Sequence, residues 1–369
     1  HRQEVRKEGS MSTEAANALP SKDKKSVPKP QTPWRTSGTE RASSLIFILA
    51  AAAASYMTVA LTPMKGILPL TLLFFIFAAL FSFIRGNRAR GIVAGKDSAA
   101  GVVMAIGMFV ALLPIASILY TTISKGLPGL HRGLLFNDMS AATPTDPITE
   151  GGLSHAIVGT FVMVAISLAI ALPLGLLTAI YLTEIRGRFT QPIRFLVQAM
   201  SGVPSIVAGL FILSAFVYPI TKTFSGLMGS LALSILMIPT IARTAEEVLR
   251  LIPEDLREAG LALGGTQWRT VAMVVIPAAR SGLVTAIILG IARVAGETAP
   301  ILLLTGGGDQ MNINPVDGAM GSLPFYIWKS FFFGSEEAVA RGWAGLLVLL
   351  TLVLVLFATA RFFSTRKVR

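Results

Sequence analysis

Arg293 and Glu297 stand four residues apart in GIARVAGETAP, residues 290–300, with LVTAII before them and ILLL after. A guanidinium is a planar fork of donors suited to an oxyanion, and a carboxylate can accept from a protonated oxygen. The apolar run reads as a span from about 281 to 305, with Arg293 near its middle. A charge at that depth costs about 2.5–3.5 kcal/mol, so the side chain must face a partner or a watery cavity. On an unbroken helix Glu297 lies one turn further on the same face. Two roles follow: an ion pair that fixes helix packing, or a cation kept for a ligand. A buried pair often gains nothing over apolar packing, which favours the ligand. Pro300 cannot donate to the carbonyl of Gly296, so the helix is liable to kink there. Ser201, Ser205 and Thr298 are candidate hydroxyls for the same cavity, each with a simpler use in bonding back to its own helix.

The elements that must hold these groups follow from composition. Hydrophobic residues make up 53% of the 369 and charged residues only 14%, against about 25% charged in soluble domains. Mean hydropathy is +0.67. This is the composition of an all-α membrane protein, since long apolar runs without alternation must close their backbone hydrogen bonds as helices. Eight stretches reach the length of a span: about 44–62, 66–84, 98–124, 155–183, 192–218, 224–242, 281–305 and 343–362. Prolines fall inside four of the earlier ones, at Pro114, Pro173, Pro204 and Pro239.

The net charge of +12 does not indicate nucleic acid, because the basic residues punctuate apolar runs instead of forming one face. Placing the N-terminus in the cytoplasm puts 24 Lys and Arg in inner segments and 6 in outer ones, so both termini are expected inside. There are no cysteines, and His1, His131 and His155 lack metal-ligand spacing. No catalytic or metal residues are expected, nor a membrane-embedded enzyme, because no nucleophile with a base lies in or near the spans.

Residues 1–43 are rich in Lys, Pro, Ser and Thr and are expected to be a disordered basic tail, with Met11 the native start and 1–10 an added leader. A two-helix hairpin with a basic loop follows over 44–97. Within that loop GIVAGKD has the wrong glycine spacing for a phosphate loop and no preceding strand. Residues 98–369 form the remaining six-helix unit. Two long segments on the outer side, 125–154 and 306–342, could receive a soluble partner or act as an ordered plug.

The inner segment 243–277 contains LIPEDLREAGLALGGTQWRTVAMVVIP. Pro253 starts a helix, Glu254 and Asp255 fill its first turn, Leu256, Ala259 and Leu263 make an apolar stripe, Gly264 and Gly265 end it, and Thr266 can cap a second helix. Such a hairpin can dock in a groove of a cytoplasmic partner or rest on lipid headgroups.

Glu258, Ala259, Gly264 and Pro277 stand in register with the signature loop of permease subunits of binding-protein-dependent ABC importers, Glu-Ala-Ala, three residues, Gly, nine residues, Ile-x-Leu-Pro. Gly260, Val274 and Ile276 depart from it. ARVAGETAP, VPSIVAGLF (203–211) and ALPLGLLTAIYLTE (171–184) resemble the permeases of the phosphate-specific ABC importer, the PstA family. The similarity covers about 98–362 and leaves the hairpin unassigned. It implies a six-helix type I permease core preceded by the extra hairpin, eight transmembrane helices in all, in the plasma (inner) membrane of a prokaryote. It also implies that Leu256, Glu258, Ala259, Gly260, Leu263 and Gly264 form the coupling helix for an ATPase, and that Arg293 is important for phosphate translocation. Glu297 could then hold Arg293 or accept from a protonated phosphate oxygen, which sulfate lacks. The implied partners are a homologous PstC-like permease, two PstB-like ATPase subunits that bind ATP and magnesium, and a PstS-like phosphate-binding protein, with no cofactor on this chain. A permease for sulfate or molybdate, a stand-alone secondary transporter or channel, and a receptor role through the outer loops stay open.

Overall fold

The structure, a computed structural model, describes residues 38–365. Residues 1–37 of the expected disordered tail, with Met11 and the leader, lie outside the described residues, as do Arg366, Lys367 and Arg369; its last six residues, 38–43, are helical instead, as the start of the helix Gly38–Leu61. The chain divides at Pro114 into two compact units, His1–Pro114 and Ile115–Arg369.

In the first unit, α1 (Gly38–Leu61) and α2 (Ile67–Arg90) form an antiparallel pair joined by a short turn. α3 (Ile92–Gly126) begins after one residue, Gly91, at φ 88°. The basic stretch 85–97, expected as a loop, is therefore helical on both sides of Gly91. Nothing in NRAR breaks a helix, and arginine and alanine are good helix formers. Ser82 donates to the carbonyl of Ser98 at 3.1 Å across this turn, and Arg85 donates to the Ser44 hydroxyl at 2.6 Å.

In the second unit, α4 (Ser154–Ile180) continues as a π-helical turn, Tyr181–Ile185. α5 (Thr190–Ser201) and α6 (Ser205–Ile212), the latter extended by the π segment Leu213–Thr221, follow. α7 (Gly226–Arg250) is the central helix. α8 (Glu254–Ala262) and the single turn α9 (Gln267–Thr270) form a hairpin, and α9 runs through Val271–Val275 into α10 (Ile276–Ala295). α11 (Ala299–Leu304), α12 (Leu323–Phe333) and α13 (Glu336–Thr365) complete the chain. Among the described residues, seven helices are long and apolar enough to cross a membrane, or eight with α5 and α6 counted as one bent span.

Two expected spans are not single helices. The stretch 192–218 breaks between Ser201 and Ser205 and bends by 102°. Pro204 has no N–H for the preceding turn and is extended at ψ 138°, so the helix must restart after it. The stretch 281–305 ends at Ala295 and restarts at Ala299, with Pro300 in the first turn of α11, where its missing N–H costs nothing. What the sequence offers as a kink is a full break. The segment 306–342 also contains α12 and the start of α13.

The core follows membrane packing rules, in which small residues and hydroxyls let helices approach closely. Ser167 of α4 donates to the carbonyl of Ser230 on α7 at 2.9 Å. Met163, Ala171, Leu233, Met237, Ile241, Val294 and Ile301 form one buried cluster, which gathers α4, α7, α10 and α11.

Candidate functional site

Arg293 lies in the last turn of α10, not near the middle of a longer helix. Its neighbours Val294 and Ala295 are buried while Arg293 itself is exposed, so the core anchors the helix end and turns the guanidinium away. Its Nη1 donates to the Thr240 hydroxyl of α7 at 3.4 Å, a long and weak contact. Glu297 falls outside the helix, in the break at 296–298, so the same-face spacing is not realised. None of the ion pairs among the described residues joins Arg293 and Glu297.

The helices that follow the two breaks pack together. A Cβ added at Gly209 of α6 would stand 2.9 Å from Cα of Pro300, so only glycine lets α6 and α11 approach this closely. VPSIVAGLF and ARVAGETAP, far apart in sequence, are thus packed against each other just beyond Arg293. Ser201 donates to the carbonyl of Val197 at 2.9 Å, back into its own helix. Ser205 and Thr298 are half-buried at the two helix restarts.

At the basic end of the unit, α8 exposes its apolar stripe: Leu256 is 41% and Leu263 90% exposed, and Ala259 and Glu258 are exposed beside them. α8 buries none of its residues. Gly264 ends it at φ 80°, and Thr266 caps the next turn by accepting from Arg269 N at 3.4 Å. At Gly260 a Cβ would meet Thr270 Cγ2 at 2.6 Å, which explains glycine where the family loop carries alanine.

Two charge clusters at this end were not among the expected site residues. Arg257 makes a bidentate pair with Glu184, 2.9 Å on each arm, and also donates to the carbonyls of Leu249 at 2.9 Å and Ile252 at 2.7 Å. The Glu184 hydrogen bonds push the guanidinium pKa still higher, so it is always charged. Glu246, buried on α7, accepts from Arg194 of α5 at 3.0 Å and from Arg250. The signal for Arg257 was its position off the apolar stripe of α8. Glu184 closes the stretch ALPLGLLTAIYLTE, but nothing local paired it with Arg257, 73 residues away.

The opposite end is tightly tied. Arg341, 2% exposed, donates to the carbonyls of Thr143, Pro144, Pro147 and Glu150. Asp138 accepts from Ser140 and, across to the other long segment, from Met311 N at 3.0 Å. Those bonds, the Ser140 hydroxyl foremost, hold its carboxyl below the usual range.

Residues 171–369 match the family described as binding-protein-dependent transport system inner membrane component. The chain is 37% identical over 279 residues to phosphate transport system permease protein PstA 1 of Mycobacterium tuberculosis, covering 74% of this chain and 90% of that one. It is 37% identical over 265 residues to phosphate transport system permease protein PstA of Pasteurella multocida, covering 71% and 92%. Among solved structures, the inward-facing MetNI methionine ABC transporter matches at 22% identity and a TM-score of 0.46 over 56% of this chain and 89% of that one.

Proposed function

The chain belongs to the family of PstA phosphate transport permeases, and on that premise we propose that it forms part of an inorganic phosphate import path in which Arg293 is a transient anion site. The observation that carries this is a guanidinium at the end of a core-anchored helix, exposed, paired with no carboxylate among the described residues and held only by a 3.4 Å bond to Thr240. Such a group keeps its donors for a tetrahedral oxyanion, and weak local tethering suits a site that must also release. In this reading Glu297, not held by Arg293, accepts from a protonated phosphate oxygen.

ATP is bound and hydrolysed with magnesium on two PstB-like subunits. They dock on the stripe of α8 and rock the bundle between inward- and outward-facing states, with both termini in the cytoplasm of a prokaryotic plasma membrane. A PstC-like permease completes the path and a PstS-like protein delivers phosphate. The exposed Leu256 and Leu263 support the docking.

The test is ATP-driven uptake of labelled phosphate into proteoliposomes holding the full complex. Arg293→Gln removes a charge-assisted hydrogen bond worth about 1.5–3 kcal/mol, so uptake should fall roughly 10- to 150-fold while assembly and ATPase activity persist. Unchanged uptake would remove Arg293 from the path. A wild-type complex that moves sulfate or molybdate but not phosphate would replace the substrate.

A further inference from the structure

We propose that Glu184 and Arg257 form the mechanical joint through which movement of α8 reaches the membrane helices, a role that rests on α8 being the ATPase docking helix. A docking helix can transmit a push only through what ties it to the bundle. α8 has no buried residue, and it rests on α9 where Gly260 meets Thr270. Its strongest tie is Arg257, which lies off the stripe of Leu256 and Leu263 and is 17% exposed at its side chain. That one guanidinium binds three places at once: both oxygens of Glu184 at the end of α4, the carbonyl of Leu249 in the last turn of α7, and the carbonyl of Ile252 in the turn between α7 and α8. Glu184 is 5% exposed at its side chain, and its own carbonyl accepts from Gln267 of α9 at 2.6 Å. The joint therefore collects α4, α7, α8 and α9 around one ion pair.

The geometry is stiff. A bidentate guanidinium–carboxylate pair fixes direction as well as distance, whereas a lysine makes a point contact. A half-buried pair with every arm bonded resists separation, because removing one partner strands the other charge. Beyond the joint, α4 and α7 lie together through Ser167 and Ser230 and share the core with Val294, the neighbour of Arg293. π-helical segments flank the joint on both sides, Tyr181–Ile185 carrying Glu184 and Val271–Val275 following α9. Such segments are rare in α-helices and occur frequently at functional sites. A rigid pair set at irregular turns of two membrane helices describes a joint.

The chain has no cysteine, which permits a direct test in the full complex with partner subunits freed of reactive cysteines. Two ratios are read: phosphate moved per ATP hydrolysed, and ATPase rate with binding protein over the basal rate. Arg257→Ala should assemble and hydrolyse ATP at the basal rate yet lose at least 10-fold in transport per ATP and lose stimulation. Arg257→Lys should lie between. Glu184→Cys with Arg257→Cys should behave like Arg257→Ala, and a short bis-methanethiosulfonate bridge, formed in the membrane before extraction, should restore both ratios until it is reduced. Bridging also covers the case in which Arg257→Ala fails to assemble. Ratios at the wild-type level in Arg257→Ala would overturn the joint, and so would an assembled, bridged pair that stays uncoupled. The stimulation ratio does not depend on which oxyanion is carried. Failure of the phosphate reading would appear in the wild type as stimulated ATPase without phosphate uptake, while the joint is still judged by the variants.

Discussion

Replacing Arg341 by methionine should free the segment 143–150 while leaving the membrane core intact. The guanidinium is buried and donates to four backbone carbonyls, at 3.0 and 3.1 Å from Nη1 and at 2.7 and 3.0 Å from Nη2. Hydrogen bonds from a charged donor contribute about 1.5–3 kcal/mol each, and a buried acceptor left without its donor carries its own penalty. The four do not add fully, because the segment can detach and give its carbonyls to water. Detachment also returns about 1–2 kcal/mol of backbone entropy per residue, so opening is the cheaper response. A loss of roughly 3 kcal/mol in the local opening free energy is expected, a factor of about 100 in exchange for amides that open with the loop. The amides to follow are Asp146, bonded to Thr143, Glu150, bonded to Pro147, and Thr143, bonded to the Asp146 carboxylate. Hydrogen exchange with mass spectrometry on the complex in nanodiscs reads them directly, with α7 peptides as the unchanged reference. Arg341→Lys keeps the charge but not the fork, and should recover only part of the protection. Unchanged exchange over 143–150 in Arg341→Met would refute the account of this segment as held by one side chain.

Two further outcomes follow from close contacts and charge. Gly260→Ala should loosen the α8–α9 hairpin and lower ATP-coupled uptake, because the new methyl meets Thr270 Cγ2 at 2.6 Å; adding Thr270→Ser removes that methyl and should restore uptake, and no rescue would mean the crowding is elsewhere. The Asp138 and Asp146 carboxyls both lie below the ordinary value of 3.8, chiefly through hydrogen bonds from Ser140 and Thr143. Their folded-state values are depressed, so their contribution is full above the unfolded value and disappears as pH falls through the folded ones. Exchange protection of 138–150, corrected for intrinsic rates, should begin to drop below about pH 5 and continue to fall as the lowered folded-state values are passed, and Asp138→Asn should shrink that drop.

Several features were legible in advance because local chemistry decides them. The start of α8 after Pro253, its end at Gly264 and the Thr266 cap are set by residues within one turn of each other. The family was legible for a similar reason, since EAGLALGG and ARVAGETAP are short and regularly spaced. The break between α10 and α11 was only half legible. Gly296 and Pro300 announce a weak point, but a membrane helix can absorb a proline as a kink. Whether it bends or stops depends on packing across to α6, and there Gly209 takes Pro300 into direct contact. That contact removes Glu297 from the helix and with it the ion pair that a count of four residues suggests.

By itself, the sequence determined that this chain crosses a membrane many times, that an amphipathic helical hairpin follows Pro253, and that an arginine stands inside an apolar run. Each of these rests on apolar length, charge placement or spacing within a few residues, properties of the chain before it folds. The tertiary structure alone decided that Arg293 stands at a helix end with no carboxylate partner among the described residues, that α6 packs against α11 through Gly209 and Pro300, and that Arg257 reaches Glu184. Those facts depend on contacts between residues tens of positions apart, formed only when α4, α7 and α10 pack around a shared core.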